Sequence, residues 1–447
     1  MLNLFFVAAL LAAPADTLAT GNQLNYRGSI EQAGVAASRK AFDLTYWVAA
    51  SGPDAAQLWW LVEERGHGEW PWPQHFGRLT VDANGQSTSP VPSLYYDRGE
   101  GQTIVPLPTP RLFVEKSAAE KPLAAEAAWQ QDKLAYLIEK PTQRAERAVW
   151  QVVVRDPFGP KRTLWAERNS LLLVGLSERV IMGRGDEYVL KLELVGSEQL
   201  AADAMAKLTA AGEALSTVRT KLAVKPDSPA APWTAEQTAL LEKELPQLRT
   251  LAAGSGFEKL ALAAGRDLSL QSGRNTAVAE LAAKFVGQKV DKFSIDGLAG
   301  EKLAHDKLAG QVTVLHFWDY RDEPLQEPYG QVGYLDFLVQ RHKAAGLKVY
   351  GVAVDGRLAD EKTRGSAERS VKKLKAFMNL SYPVLLDAGP LLKQFGDPRV
   401  VGAALPLFVV VGPDGKIVHY HVGTYEVRQD QGLKELDQVV TQTLGKK

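Results

Sequence analysis

The sequence predicts a multidomain protein: an N-terminal antiparallel β domain, a helical middle segment and a C-terminal α/β domain. Three observations support this fold class. The chain has 447 residues, its first part alternates apolar and polar residues, and its last part alternates strand-like and helix-like segments. At roughly 150 residues per domain, the length allows about three domains. We expect them at residues 22–196, 197–285 and 286–447.

The composition is that of a globular protein, and it excludes several kinds of site. The 52 Lys and Arg residues balance 52 Asp and Glu residues. Because nucleic acids and anionic membranes attract a positive field, this zero net charge argues against a general binder of either. The chain contains no cysteine, which removes disulfides, Cys-ligated metal sites and thiol nucleophiles. We predict no nucleic-acid partner and no cofactor.

Residues 1–19 resemble a secretory signal peptide. An apolar run from Leu2 to Ala13 ends at Pro14, and Ala13-Pro14-Ala15 or Thr17-Leu18-Ala19 would suit cleavage. The run is shorter than the roughly 20 residues of a membrane-spanning helix, and no later stretch reaches that length. The segment lacks Lys and Arg, so an uncleaved anchor or a misassigned start stays as an alternative. We expect an exported protein, periplasmic or extracellular, with no stable membrane span in the mature chain.

Residues 22–196 have the period-two pattern of strands that are buried on one face. Phe42, Leu44, Tyr46 and Val48 alternate with more polar residues, and turn signals such as Asn84-Gly85 separate the runs. Short hairpin loops can join only antiparallel neighbours. The pattern therefore predicts an antiparallel sheet.

Residues 197–285 are rich in Ala, Leu and Glu. Leu200, Leu208 and Leu215 share one helical stripe. Thr234 lies three residues before Gln237, which is typical of a capping box that begins a helix, and we expect Pro246 to kink or end that helix. A dimerising coiled coil is one interpretation. A helical spacer packed on a neighbouring domain is favoured, because the heptad pattern is too short.

Residues 286–447 have the order of an α/β fold. Val312 to Trp318 is a nearly continuous apolar strand, as expected for a strand covered on both faces. A helix at Tyr334 to Ala345 separates it from a second strand at Leu347 to Val354. Gly412 to Gly415 has the composition of a hairpin turn.

This order resembles the thioredoxin fold, and within it the exported TlpA-like and ResA-like branch of the AhpC/TSA, peroxiredoxin-related proteins. The resemblance covers about a third of the chain. Its segments are, in order, Val286 to Gly297, Val312 to Trp318, Gly346 to Asp355, Tyr382 to Asp387, and Leu405 to Val411 with its following hairpin.

The resemblance also locates the positions of a vestigial active site. In the reductases of this branch, Phe-Trp at the end of the first core strand is followed by Trp-Cys-x-Pro-Cys. Here Asp322 takes the place of the attacking cysteine and Leu325 that of the resolving one, while Pro324 is retained. A carboxylate cannot form a mixed disulfide and an alkyl chain cannot resolve one. The resemblance thus implies the scaffold without thiol-disulfide or peroxidase chemistry.

Three further features have two interpretations each. Asp322 could act as a general base, but its charged neighbours favour a helix N-cap. His419 and His421 lie two apart on a strand and could bind a metal, but with only two ligands a half-exposed strand face is favoured, and we predict no metal site. The resemblance implies that Pro406 is a cis-proline, which either shapes the loop alone or borders a peptide-binding groove.

The β domain is rich in tryptophan. Trp59, Trp60, Trp70 and Trp72 could form a platform for a glycan or an apolar ligand, although core packing explains such residues more often. Lys161 to Arg168 and the strands after it loosely resemble the curved sheet of exported lipoprotein-carrier proteins.

The function that we predict is recognition or scaffolding by an exported, non-catalytic protein. Its expected partner is an extended peptide or a protein at the thioredoxin-like groove. Binding of an apolar ligand or a glycan by the β domain is the first alternative. Thiol oxidoreduction is the second, and it rests on fold alone.

Overall fold

A computed structural model describes residues 18–65, 72–97, 102–115, 123–144, 146–182, 185–223, 232–319, 331–427 and 432–445. The chain forms two compact units. Unit 1 consists of Met1–Ala231 and Glu236–Ser269, and unit 2 of Pro232–Ala235 and Leu270–Lys447.

Unit 1 contains a ten-stranded antiparallel sheet with the order β4-β3-β2-β1-β12-β11-β10-β9-β8-β7, and β5 and β6 form a separate hairpin. This confirms the predicted antiparallel β domain. The strands are β1 Asn22–Gln32, β2 Val35–Ser51, β3 Ala55–Arg65, β4 Phe76–Asp82, β5 Ser93–Asp97, β6 Gln102–Pro106, β7 Ala128–Gln131, β8 Leu134–Arg144, β9 Arg147–Asp156, β10 Gly159–Glu167, β11 Leu173–Met182 and β12 Asp186–Gln199.

Along much of the sheet, buried side chains alternate with more exposed ones, as in β12. One face carries Leu44 and Tyr46, which share a core with Leu94 and Val105 of the β5–β6 hairpin. This periodicity of two is the reason the sequence pattern identified the strands.

The helices after the sheet are α1 Ala202–Leu222, α2 Ala235–Ala252 and α3 Glu258–Phe285. α2 begins directly after Thr234, as the capping signature predicts, but it continues through Pro246 instead of ending there. Phe257, just before α3, contacts the rings of Trp47 and Trp59 on the sheet, with ring centroids 5.2 and 5.8 Å apart. The helical residues of unit 1 therefore pack on the sheet.

The predicted boundaries at residues 197 and 285 differ from this division. α1 and most of α2 belong to unit 1, and the boundary between the units falls within α3, at Ser269. The physical reason is that an amphipathic helix must bury its apolar stripe, and α1 buries Leu208, Ala211 and Leu215 within unit 1.

Unit 2 contains a five-stranded mixed sheet with the order β17-β16-β15-β18-β19. β15, β16 and β17 are parallel, and β18 and β19 are antiparallel to their neighbours. Its strands are β15 Thr313–Trp318, β16 Lys348–Val354, β17 Val384–Asp387, β18 Leu407–Val411 and β19 Ile417–Val422. β13 Ser294–Asp296 and β14 Lys302–Ala304 form a separate two-stranded hairpin.

Helices cover both faces of this sheet. The helices are α4 Val332–His342, α5 Glu361–Phe377, α6 Pro390–Gln394 and α7 Lys434–Leu444. α4, α5 and α7 contribute to one core, and α6 with the β13–β14 hairpin contributes to the other. Because both faces are covered, all six residues of β15 are buried. The predicted α/β arrangement is confirmed.

Candidate functional site

The site that the resemblance predicts lies at the carboxyl end of β15. Trp318 ends this strand and is 2% exposed. Asp322, Pro324 and Leu325 lie outside the described residues, so the prediction of a helix cap at Asp322 stays a prediction. Pro406 is described, and the peptide bond that precedes it is cis, as the resemblance implies. It lies just before β18, which pairs with β15 through Phe317 and Leu407.

Some backbone N–H and C=O groups near Pro406 form hydrogen bonds within the described residues, and others do not. The N–H groups of Gly402 and Ala403 donate to the turn before them, and the Pro406 carbonyl accepts from Gly423 N at 2.7 Å. Between these positions, the backbone groups of Ala404 and Leu405 make no hydrogen bond with the described residues. We call Gly402 to Pro406 the Pro406 loop.

An arginine–aspartate pair precedes the Pro406 loop. The Arg399 guanidinium donates to the Asp397 carboxylate from Nε, at 2.9 Å to Oδ1 and 3.2 Å to Oδ2, and from Nη2, at 2.8 Å to Oδ2. These bonds lower the pKa of Asp397, and the pKa of Arg399 is raised, mainly by Asp397 with smaller effects of Asp319 and Asp387. The Arg399 guanidinium therefore lies in the field of the carboxylate that follows β15. Val400, the next residue, is 83% exposed.

Imidazole and aromatic side chains of β15, β18, β19 and the segment after β19 stack on one another. His316 of β15 stacks on Phe408 with centroids 4.4 Å apart, and His421 stacks on Tyr425 at 3.9 Å. His419 lies on the same face, with its Nε2 2.7 Å from the Tyr425 hydroxyl. The two-residue spacing therefore does place His419 and His421 side by side, as predicted.

The environment of these imidazoles favours their neutral form. Burial, with a contribution from the charge of His419, lowers the pKa of His421 to about 4, and burial lowers the pKa of His419. In the described part of the chain, no group of three or more His, Asp or Glu side chains is placed to hold a metal ion.

Gln331 makes a buried contact that the sequence did not predict. It is fully buried at the start of α4, and its side-chain amide bonds to the backbone of Tyr425, which lies beyond β19. Only the tertiary structure brings these two residues together, since they are 94 positions apart. No local sequence signal marks such a contact.

The tryptophans of unit 1 do not form the open platform that we considered. Trp59 and Trp72 are 0% exposed and Trp60 is 7% exposed, while Trp70 lies outside the described residues. Trp72 stacks on Phe76 with centroids 6.0 Å apart. The physical reason is that these large rings bury more apolar surface in the core than on an open face. The three described indoles are core residues.

None of the helices in the described ranges is both long and apolar enough to span a membrane. No curated protein matches the chain.

Several solved structures are similar to about a third of the chain. A thiol:disulfide interchange protein of the thioredoxin family from Chlorobium tepidum is 18% identical, with a TM-score of 0.28, covering 35% of this chain and 97% of that one. A secreted Mycobacterium tuberculosis disulfide oxidoreductase homologous to E. coli DsbE is 18% identical, with a TM-score of 0.26 and coverage of 34% and 95%. A thiol:disulfide interchange protein from Bacteroides sp. is 19% identical, with a TM-score of 0.27 and coverage of 36% and 90%.

A protein family matches part of unit 2. Residues 286–420 match the AhpC/TSA family. This range includes the five strands of the mixed sheet up to Tyr420 of β19. The residues that match this family thus carry most of the thioredoxin-like mixed sheet, in a chain that contains no cysteine.

Proposed function

We propose that unit 2 is an exported, non-catalytic recognition module that binds an extended peptide segment at the Pro406 loop. One observation carries the proposal. The backbone N–H and C=O groups of Ala404 and Leu405, just before β18, make no hydrogen bond with the described residues. An extended chain can pair with such N–H and C=O groups as a strand pairs with a sheet edge.

The surroundings of the loop support a peptide as the ligand. The bonds from Gly402 and Ala403 on one side and from Gly423 to Pro406 on the other hold both ends of the loop. The open groups are thus presented on a fixed backbone, which lowers the entropy that binding must overcome. Val400, exposed next to the loop, offers an apolar contact for a side chain of the peptide.

The absence of cysteine supports a role in recognition rather than in catalysis. Thiol-disulfide exchange and thiol peroxidase reactions both begin with a cysteine thiolate, and the chain has none. Backbone pairing and shape need no thiol, so they can persist on this scaffold. Export is part of the proposal because residues 1–19 have the pattern of a signal peptide.

A peptide-binding measurement on the full chain tests the proposal. An array of unstructured peptides selects a binder, and its affinity is then measured for the parent protein and for Ala404→Pro, which removes one open N–H group. We expect a loss of about tenfold, equivalent to about 1.4 kcal/mol. Val400→Asp should lower the affinity for the same peptide by a comparable factor.

The control is Val286→Asp, which places the same charge at another exposed valine of unit 2. It should leave the affinity unchanged. Thermal melting of each variant separates loss of binding from loss of folding. If Ala404→Pro and Val400→Asp remain folded and bind every peptide as tightly as the parent, recognition does not occur at this loop.

A further inference from the structure

Helix α5 concentrates positive charge in a protein whose total charge is zero. Its 17 residues include six Lys or Arg and only two Glu. Helix faces that serve only to keep a protein soluble usually mix the two signs. The excess of positive charge on α5 therefore needs its own explanation.

Three of these cations form one row. α5 buries Ala367, Val371 and Leu374 on its inner side. Lys362, Arg369 and Lys373 are exposed, and with 3.6 residues per turn they lie on the opposite side of the helix. At 1.5 Å per residue, the row is about 16 Å long.

No acidic side chain compensates the row. Residues three or four positions from Arg369 are Gly365, Ser366, Lys372 and Lys373, so the neighbours within reach are neutral or of like charge. Like charges at this spacing destabilise a helix. Lys362, Arg369 and Lys373 form no ion pair with any other residue in the described ranges. An anionic partner would relieve this repulsion.

An exposed aromatic ring lies at the end of the row. Phe377, four residues after Lys373, is 74% exposed. Aromatic side chains next to cations are typical of protein surfaces that insert into the boundary between lipid headgroups and acyl chains. The cavity of about 460 Å³ that borders α5 is lined by Arg364 and Glu368, which lie on the other flank of the helix. The row itself faces open solvent.

We propose that the outer face of α5, formed by Lys362, Arg369, Lys373 and Phe377, binds the anionic headgroups of a membrane surface. A straight row on the outer side of a helix matches a planar layer of charge. An acidic peptide, by contrast, would gain more from a groove. The zero net charge excludes only a general electrostatic attraction, because headgroup binding acts within about one Debye length of roughly 10 Å and therefore senses the local charge. This binding is independent of the Pro406 loop.

Vesicle co-sedimentation of the full chain tests the proposal. Vesicles of pure phosphatidylcholine are compared with vesicles that contain about one third phosphatidylglycerol, whose surface attracts basic side chains. We expect pelleting with the anionic vesicles only, and release at about 0.5 M salt, which screens exposed charges. The double variant Arg369→Gln/Lys373→Gln should lower the bound fraction about tenfold or more, given the contribution of each cation near an anionic surface.

The matched control is Lys289→Gln/Lys292→Gln, which removes two exposed cations elsewhere in unit 2. It should bind as the parent does. Both double variants change exposed side chains, so circular dichroism should show an unchanged fold. The proposal is overturned if the parent does not pellet with anionic vesicles, if both variants bind equally, or if only a polyglutamate resin, and not the vesicles, retains the parent in a row-dependent manner.

Discussion

The side-chain amide of Gln331 is paired with the backbone of Tyr425 through two hydrogen bonds. Gln331 Nε2 donates to the Tyr425 carbonyl at 2.7 Å, and Tyr425 N donates to Gln331 Oε1 at 2.9 Å. Both residues are buried. The start of α4 is thereby joined to the segment that follows β19, on which Tyr425 stacks against His421.

We expect Gln331→Ala to destabilise the protein by about 2 to 4 kcal/mol, because it leaves one buried N–H and one buried C=O group without partners. Urea denaturation measures the change. Gln340→Ala is the control, since Gln340 is exposed and makes one side-chain bond, to Ser381 Oγ at 3.2 Å. Its effect should stay within about 0.5 kcal/mol. Equal effects of the two variants would contradict the structural role of the Gln331 pair.

Local and tertiary features differ in how well the sequence predicts them. Burial on both faces makes β15 a continuous apolar run, and the hairpin before β19 needs Gly415 at a φ of +75°. Such features leave a mark in a few consecutive residues. The pairing of Gln331 with Tyr425 and the packing of Phe257 on Trp47 leave none, because each depends on residues that are distant in the chain. The division into two units also depends on contacts between residues that are distant in the chain.

The packing of α1 on the sheet predicts that alanine substitutions at two helical glycines change the stability of the protein in opposite directions. A Cβ atom at Gly212 would lie 2.9 Å from the Trp59 ring and 3.0 Å from Phe257. Gly212→Ala should therefore destabilise unit 1 by about 1 to 3 kcal/mol through overpacking. Gly273, inside α3, has no atom within 4 Å of such a Cβ. Gly273→Ala should stabilise the helix by up to about 1 kcal/mol.

Thermal melting of the two glycine variants checks this pair. A similar gain in stability for both would mean that α1 does not pack closely against Trp59. The comparison is matched, because each variant adds one methyl group to a helical glycine.

The buried imidazole of His421 predicts a loss of stability in mild acid. Its pKa is about 4 in the folded protein, against an ordinary value of 6.5. Between these values the unfolded chain binds the proton more tightly, so the stabilising effect is complete above pH 6.5 and falls as the pH drops toward 4. The slope should be about 1.4 kcal/mol per pH unit for this group.

His421→Phe should reduce that slope, since a phenyl ring can still stack on Tyr425 but cannot bind a proton. Denaturation at pH 7 and pH 5 measures the difference between the variant and the parent. His75 of unit 1, whose pKa burial lowers to about 3, contributes to both proteins and cancels in the comparison. An identical pH dependence of the two proteins would show that His421 is not the titrating group.

The absence of cysteine predicts that the purified protein neither reduces insulin disulfides nor consumes peroxide by a thiol mechanism. Turbidity of reduced insulin and a peroxide electrode measure the two reactions. An active thioredoxin-family reductase serves as the positive control. Turnover that survives further purification and is comparable to that control would contradict the prediction.

The contacts within unit 2 predict where an independently folding fragment must begin. Phe285, at the end of α3, stacks on Tyr420 of β19 with ring centroids 5.5 Å apart, and Leu281 packs on the same core. A fragment of residues 278–447 keeps both contacts. We expect it to melt cooperatively, because it retains all five strands of the sheet and the helices that cover them.

A fragment of residues 287–447 is the matched comparison. It retains the same strands but loses Phe285 and Leu281, which exposes the apolar surface under them. Phe285 and Leu281 are partly buried, so their loss should cost less than the roughly 3 to 5 kcal/mol of a fully buried large side chain, and this fragment should melt at a lower temperature. A non-cooperative melt of residues 278–447 would mean that unit 2 depends on more of α3. Equal melting temperatures of the two fragments would mean that Phe285 does not contribute to the core.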